Sequence, residues 1–449
     1  MSYRRRALWA LVIFCCMALL LAPAAWNGFP LLQFDTGGYI APWYDHRLHI
    51  NRSVPYGLLL VAGQWPDFWP VLILQSALTV WVLALTLRAH GLGRRPLFLL
   101  AVTAALCLLT TLPWLTTILL TDIFAGLAVL ALYLLLLRAE ALTRGERLGL
   151  AALLAVSAAT HSGTLAMLIL LAAAAGAVSL IDRSRIPLAR LGRGALALAL
   201  GAVMVLAADV VVTGRLAWTP GGPALSFGRM LQDGIVTRYL NDHCPDADLK
   251  LCPYRAELPR NADDFFWGGG VFDTLGRFDG LNREMRRIAF AGLVDYPGQQ
   301  LKSMITETAK QLTMVDTGAG VVNWIWNTYA MIERDAPAAV PAMKAARQQQ
   351  SGIPFTAINR LQVPVALIAM ALLPFAAAYA LRRQSLADLG ELNAAAALAV
   401  LANAAVFGVF ATAHNRYGAR LTWVAALALL LTLARMIVSR APRLAGGKP

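Results

Sequence analysis

The sequence predicts an all-α polytopic membrane protein with about ten transmembrane helices, and three observations carry that expectation. Hydrophobic residues make up 58% of the 449 positions and charged residues only 14%, against roughly 25% charged in a soluble domain. Apolar runs near 20 residues recur along the chain, the length that crosses a hydrocarbon core ~30 Å thick. Arginine clusters mark alternate ends of those runs, as the positive-inside rule requires. A soluble enzyme, a disordered chain and an ordinary nucleic-acid binder are excluded by the same composition.

The elements follow in order. Arg4, Arg5 and Arg6 precede the first run, residues 7–26, and place the N-terminus inside. The polar loop 27–66 then lies outside. Run 68–87 returns to Arg88, Arg94 and Arg95; run 96–109 leads outward to 110–121; run 122–137 comes back to Arg138, Arg144 and Arg147. Residues 148–181 hold two short spans that turn at 160–163, and four arginines follow between 183 and 193. Run 195–213 completes an N-terminal module of seven spans, residues 1–213. A mainly helical outer region, 214–355, separates it from a C-terminal module, 356–449. That module has spans at 356–381, 392–412 and 421–437, with residues 414–420 outside and a basic inner tail. Residues 21–25 have the small side chains of a signal-peptide cleavage site, but either reading leaves the next loop outside.

Charge tests this topology. The inner segments hold 19 basic and 5 acidic residues, the long outer region 15 and 15, and all other positions 5 and 5. The whole net charge of +14 therefore falls on one side of the bilayer. It is a topology signal and does not call for nucleic acid. In the outer region, stretch 281–293 reads as a basic amphipathic helix and 300–312 as a second helix of a small domain resting on the membrane. Cys244 and Cys252 lie there too. In a compartment that permits oxidation they read as a disulfide; the other reading is a metal site shared with His243.

Polar groups at membrane depth or crowded into short outer loops are the functional candidates. Asp35, followed by Thr36, Gly37 and Gly38, is either a turn cap or a general base facing a substrate. Tyr39, Trp43, Tyr44 and Tyr56 surround it in sequence as substrate-contacting aromatics, with Trp267 added from the outer region. Arg52 is either an interface anchor or a phosphate ligand. Asp122 opens a span on the same side as Asp35, and a helix cap is its alternative role. His414, Arg416 and Arg420 crowd one short loop and suit a phosphate leaving group. His161 marks the turn between two spans. Asp209, a turn inside its span, has Arg215 as the expected partner.

Asp35 in the first outer loop, Arg52 with Pro55 and Tyr56 before the second span, and Asp122 where the fourth begins resemble the GT-C membrane glycosyltransferases. Protein O-mannosyltransferases and the lipid A aminoarabinose transferase are the nearest types. The resemblance covers residues 27–137. It implies transfer of a sugar from a polyprenyl-phosphate donor to an outer-side acceptor (a glycan, a lipid or a protein), usually with inversion. Asp35 would then be the base and Arg52 the donor-phosphate ligand. Mannosyltransferases carry Asp-Glu where this chain has Asp35 and Thr36, and no Asp-x-Asp stands in the loop, so no metal or other cofactor is implied. High Ala, Leu and Arg usage points to a bacterial inner membrane, with both termini cytoplasmic and the site facing the periplasm, where it would serve the cell envelope. A transporter or flippase of a lipid-linked intermediate and a non-catalytic assembly subunit are the competing expectations.

Overall fold

The computed structural model describes residues 3–93, 95–218 and 221–445; Arg94 and the end of the basic tail, 446–449, lie outside them. The helices used below are α1 (Tyr3–Asn27), α2 (Trp69–Ala89), α3 (Pro96–Leu109), α4 (Asp122–Leu137), α5 (Arg144–Thr160), α6 (Ser162–Ile181), α7 (Leu188–Thr213), α8 (Gly222–Gln232), α9 (Arg277–Asp295), α10 (Pro297–Thr313), α11 (Phe355–Leu381), α12 (Ala387–Phe410) and α13 (Asn415–Ala445). Among the described residues there is no strand, only an isolated parallel pairing of Leu31 with Ile118.

Seven helices, α1, α2, α6, α7, α11, α12 and α13, are long and apolar enough to cross a membrane. The protein is membrane-embedded and helical, in line with the coarse expectation. The other three expected spans form the shorter helices α3, α4 and α5, of 14, 16 and 17 residues. For α4 the reason is its surroundings: nearly every residue from Asp122 to Leu134 is buried, so protein rather than lipid solvates it.

Close packing around α4 fixes the centre. A Cβ at Gly126 would stand 2.5 Å from the Trp423 ring, so glycine lets α4 and α13 approach. Trp423 itself is fully buried. Because Gly126 lies one turn after Asp122, and Trp423 two turns after Arg416, the contact also registers Asp122 against Arg416.

The start of α13 corrects the sequence reading. Residues 414–420 were expected as a loop, yet the helix begins at Asn415 and places Arg416 and Arg420 in its first two turns. The preceding segment of the outer region cradles that first turn: Asn415 accepts a bond from the Asp316 amide at 3.2 Å, and a Cβ on Gly418 would collide with the Met314 carbonyl.

The outer region has two cores. Phe227, Tyr239, Phe265, Phe272, Leu281 and Met285 belong to a cluster of their own. Ile325, Tyr329, Ile332 and Met343 instead join the core of the membrane helices. Cys244 and Cys252 form a disulfide with Cα atoms 5.6 Å apart, which closes the metal alternative. His243 bonds to the Tyr239 carbonyl and stacks on its ring.

Candidate functional site

Two distant loops are first pinned together. The Leu31 amide donates to the Thr117 carbonyl at 2.9 Å and the Leu119 amide returns the bond to the Leu31 carbonyl at 3.0 Å. The buried Thr36 hydroxyl reaches the Leu119 carbonyl at 3.2 Å. These contacts place Asp35 beside Asp122. From the far side the Trp326–Asp335 helix closes on the same loop. Its Thr328 hydroxyl bonds to the carbonyls of Gln33 and Phe34 and accepts from the Gly37 amide.

The glycines of the loop then have distinct causes. A Cβ at Gly37 would stand 2.9 Å from both Thr328 Cα and Met331 Sδ, and one at Gly38 would stand 3.0 Å from Arg52 Nε. Gly37 admits the outer helix and Gly38 admits the arginine. Turn chemistry alone does not account for that pair.

Four charges converge here. Arg52 bonds to one oxygen of Asp35, and Arg416 Nη1 reaches the other at 2.5 Å. Arg416 Nε bonds to Asp122 Oδ2 at 2.6 Å, so one guanidinium bridges both carboxylates. Asp35 and Arg52 keep about a fifth of their side-chain surface, whereas Asp122 keeps 4%. Asp35 is thus the accessible carboxylate and Asp122 the anchor of Arg416. Burial pushes the Asp35 carboxyl up, but Arg52 and Arg416 outweigh it and hold its pKa below the ordinary carboxylate value. Among the described residues, the buried Asp122 Oδ1 and Arg416 Nη2 have no hydrogen-bond partner. Both residues line a small cavity of about 20 Å³ with Thr111, Asp316 and Thr317, room for one water.

Aromatic rings wall the cluster. Arg52 lies 5.7 Å from the Tyr39 ring centre, Tyr39 meets Tyr56 edge-on at 5.1 Å, and Tyr56 meets Phe124 at 6.1 Å. His161, capping α6, accepts from the Gly163 amide through Nδ1 at 3.0 Å, which leaves Nε2 as the N–H. Burial, with Arg420 and Arg416 nearby, holds its pKa well below the ordinary value. It is therefore neutral at pH 7.

A larger cavity of about 630 Å³ opens beside the cluster. Arg52, Thr160, His161 and Tyr417 line its polar end; Val205, Phe290, Leu293, Phe407 and Phe410 line its apolar length. Asp209 and Arg229 also face it. Asp209 is 2% exposed and, contrary to expectation, does not pair with Arg215: its carboxylate has no partner among the described residues. The helix carries Asp209 against the cavity wall while Arg215 sits beyond the turn at Gly214.

The structure therefore gathers Asp35, Asp122, Arg52, Arg416, Tyr39, Tyr56 and His161. The other candidates are bonded or packed elsewhere, although Arg420 still feels the charge of Asp122 and His414 that of Asp35. Arg420 is fully buried, bonded to Asn403 at 2.6 and 2.9 Å and lying over the Phe407 ring. His414 bonds to Thr412 at 2.7 Å, and burial lowers its pKa. Trp43 bonds to the Val54 carbonyl and Tyr44 to Gln64. Trp267 is 62% exposed, against Arg277 and Phe278 at the surface of the outer region. Sequence reasoning gave Tyr417 no role of its own and missed Thr328 and Met331. The last two sit nearly 300 residues from Asp35 on an unremarkable helix, so no local pattern announces them. No family model, curated protein or solved structure matches the chain.

Proposed function

We propose that the protein is an inverting glycosyltransferase of the bacterial inner membrane, which moves a sugar from a polyprenyl-phosphate donor to a periplasmic acceptor. One observation carries this reading: Arg52, bonded to an accessible Asp35 carboxylate that Arg416 also holds, lines the polar end of a mostly apolar cavity. That is the arrangement a lipid phosphate needs, with charge-assisted bonds for its head and apolar walls for its chain.

In the resting site Asp35 is a poor base, because both its oxygens are occupied and its pKa is depressed. The donor phosphate competes for Arg52 and Arg416. As they turn to it, the Asp35 carboxylate is freed and its basicity rises. It then takes the proton of the acceptor hydroxyl while that oxygen bonds to the anomeric carbon. The bond from that carbon to the phosphate oxygen breaks, and its electron pair leaves with the polyprenyl phosphate. Arg52 and Arg416 stabilise that charge, and Asp122 keeps Arg416 aimed. Coupling donor arrival to release of the base would also suppress idle hydrolysis.

The test is mass spectrometry of lipids extracted with the wild-type protein and with Asp35→Asn. A polyprenyl-phosphate sugar enriched in the variant supports the donor class and the base. Bulk phospholipid alone in both would shift the weight to a transport or assembly role.

A further inference from the structure

The outer region carries an apolar face that the fold leaves uncovered. On α9, Phe290, Leu293 and Val294 are 62%, 49% and 77% exposed, and on α10 Leu301 and Ile305 are 59% and 63% exposed. Spacings of three and four residues put them on one side of each helix, opposite the buried Leu281, Met285 and Ile288. Toward the start of α9 the same side carries Arg283 and Arg286, both exposed and without an ion pair among the described residues. Two arginines followed by a large apolar cluster is the pattern of a helix lying in a membrane interface. A water-facing helix does not gather such side chains into one patch.

Position identifies what covers the face. α10 lies against the outer end of the span α12, where a Cβ on Gly408 would stand 2.6 Å from the Thr308 nitrogen. Phe290, Leu293 and Met304 share the wall of the large cavity with Val205 on α7 and with Val406 and Phe410 on α12. Val205 lies two turns inside the end of α7 and Val406 one turn inside the end of α12. The outer ends of both spans are themselves apolar and open, Val211 at 71% and Phe410 at 58%. The patch on α9 and α10 is thus continuous with the lipid-facing surface of α7 and α12.

We propose that the corner between α9 and α10 is inserted into the outer leaflet and forms the lintel of a lateral entrance, through which a lipid chain passes between α7 and α12 into the cavity. Acyl chains cover Phe290, Leu293, Val294, Leu301 and Ile305, while headgroup phosphates meet Arg283 and Arg286. The insertion is independent of the glycosyltransferase reading; only the identity of the lipid that enters rests on it.

Two experiments on the full chain in lipid nanodiscs test this, with Cys15, Cys16 and Cys107 replaced by alanine. Nitroxides on Val294→Cys and Ile305→Cys should relax more with oxygen than with a water-soluble nickel complex, the reverse of a label on the exposed Asp248→Cys. Nickel-dominated relaxation at both positions overturns the insertion. For the entrance, Leu293→Cys and Phe410→Cys are joined by a reducible cross-linker, and uptake of a fluorescent C15 prenyl monophosphate is timed. Uptake about tenfold slower, recovering on reduction, is expected; unchanged uptake overturns the entrance. Neither readout requires sugar transfer, so failure here and failure of the proposed function are separable.

Discussion

A carboxylate held by two arginines is neither a conventional salt bridge nor a conventional base. On the proposed transfer mechanism, Asp35→Asn keeps the shape of the site but loses both proton acceptance and charge, so turnover should fall by roughly 10²–10⁴-fold while donor binding persists. A sugar-transfer assay with donor titration would separate the two effects. Asp122→Ala should act differently. It removes one of the two carboxylates that hold a nearly buried guanidinium and leaves Arg416 to Asp35 alone, a loss of roughly 1–3 kcal/mol for a buried charged donor left without a partner, read as a lower melting temperature. Arg416→Lys tests the bridge itself, because one ammonium cannot present the fork that reaches both carboxylates. Acid should weaken the cluster in a defined window. The folded pKa of Asp35 lies below its unfolded value, so its contribution is complete above the unfolded pKa, about 4, and is lost as pH falls through the lower folded value. Thermal stability of wild type against Asp35→Asn should therefore converge only in strong acid. Convergence near pH 6 would contradict the pairing.

Among the elements, short helices and glycines set the positions that the long spans cannot. Gly37→Ala should push the Trp326–Asp335 helix away from the first loop, costing about 1–3 kcal/mol as an overpacked contact and disturbing Asp35 without touching any charge. Activity and melting temperature should fall together. If only activity changed, the close approach to Thr328 would not be structural. Gly126 has the same part at the α4–α13 contact, where a side chain would displace Trp423 and with it the register of Arg416. The helix α13 shows why its cations escaped a loop assignment. Four polar residues and a glycine in 414–420 read as a turn in isolation, but the outer region cradles the start of the helix: the Gln311 side chain bonds the His414 amide and carbonyl, and the Asp316 amide donates to Asn415. Local propensity is overridden when a neighbouring segment supplies partners for the backbone.

Across the whole molecule, an outer region with its own core sits on a membrane bundle that it also completes. Cys244 and Cys252 close a short loop within that core. Replacing both by serine should cost about 2–3 kcal/mol on the chain-entropy account, confined to the outer core and visible by hydrogen exchange over residues 224–296, with the spans unaffected. By itself the sequence determined the solvent, because apolar runs answer directly to the bilayer, one residue at a time, and it set the expected sidedness through arginine placement. It also marked Asp35, Arg52, Asp122 and Arg416, because a charge at membrane depth is costly enough to stand out. Their convergence was a matter for tertiary structure alone. Arg416 lies 381 residues from Asp35, and only the Leu31–Ile118 pairing, the Gly126–Trp423 contact and the Thr328 helix bring them within bonding distance. Which aromatics would stay outside was equally beyond the sequence, since both Trp267 and Tyr39 are large aromatics in polar stretches of the chain, yet the fold buries Tyr39 in the membrane core and leaves Trp267 exposed. Hydropathy is written into each residue, whereas proximity belongs to the fold.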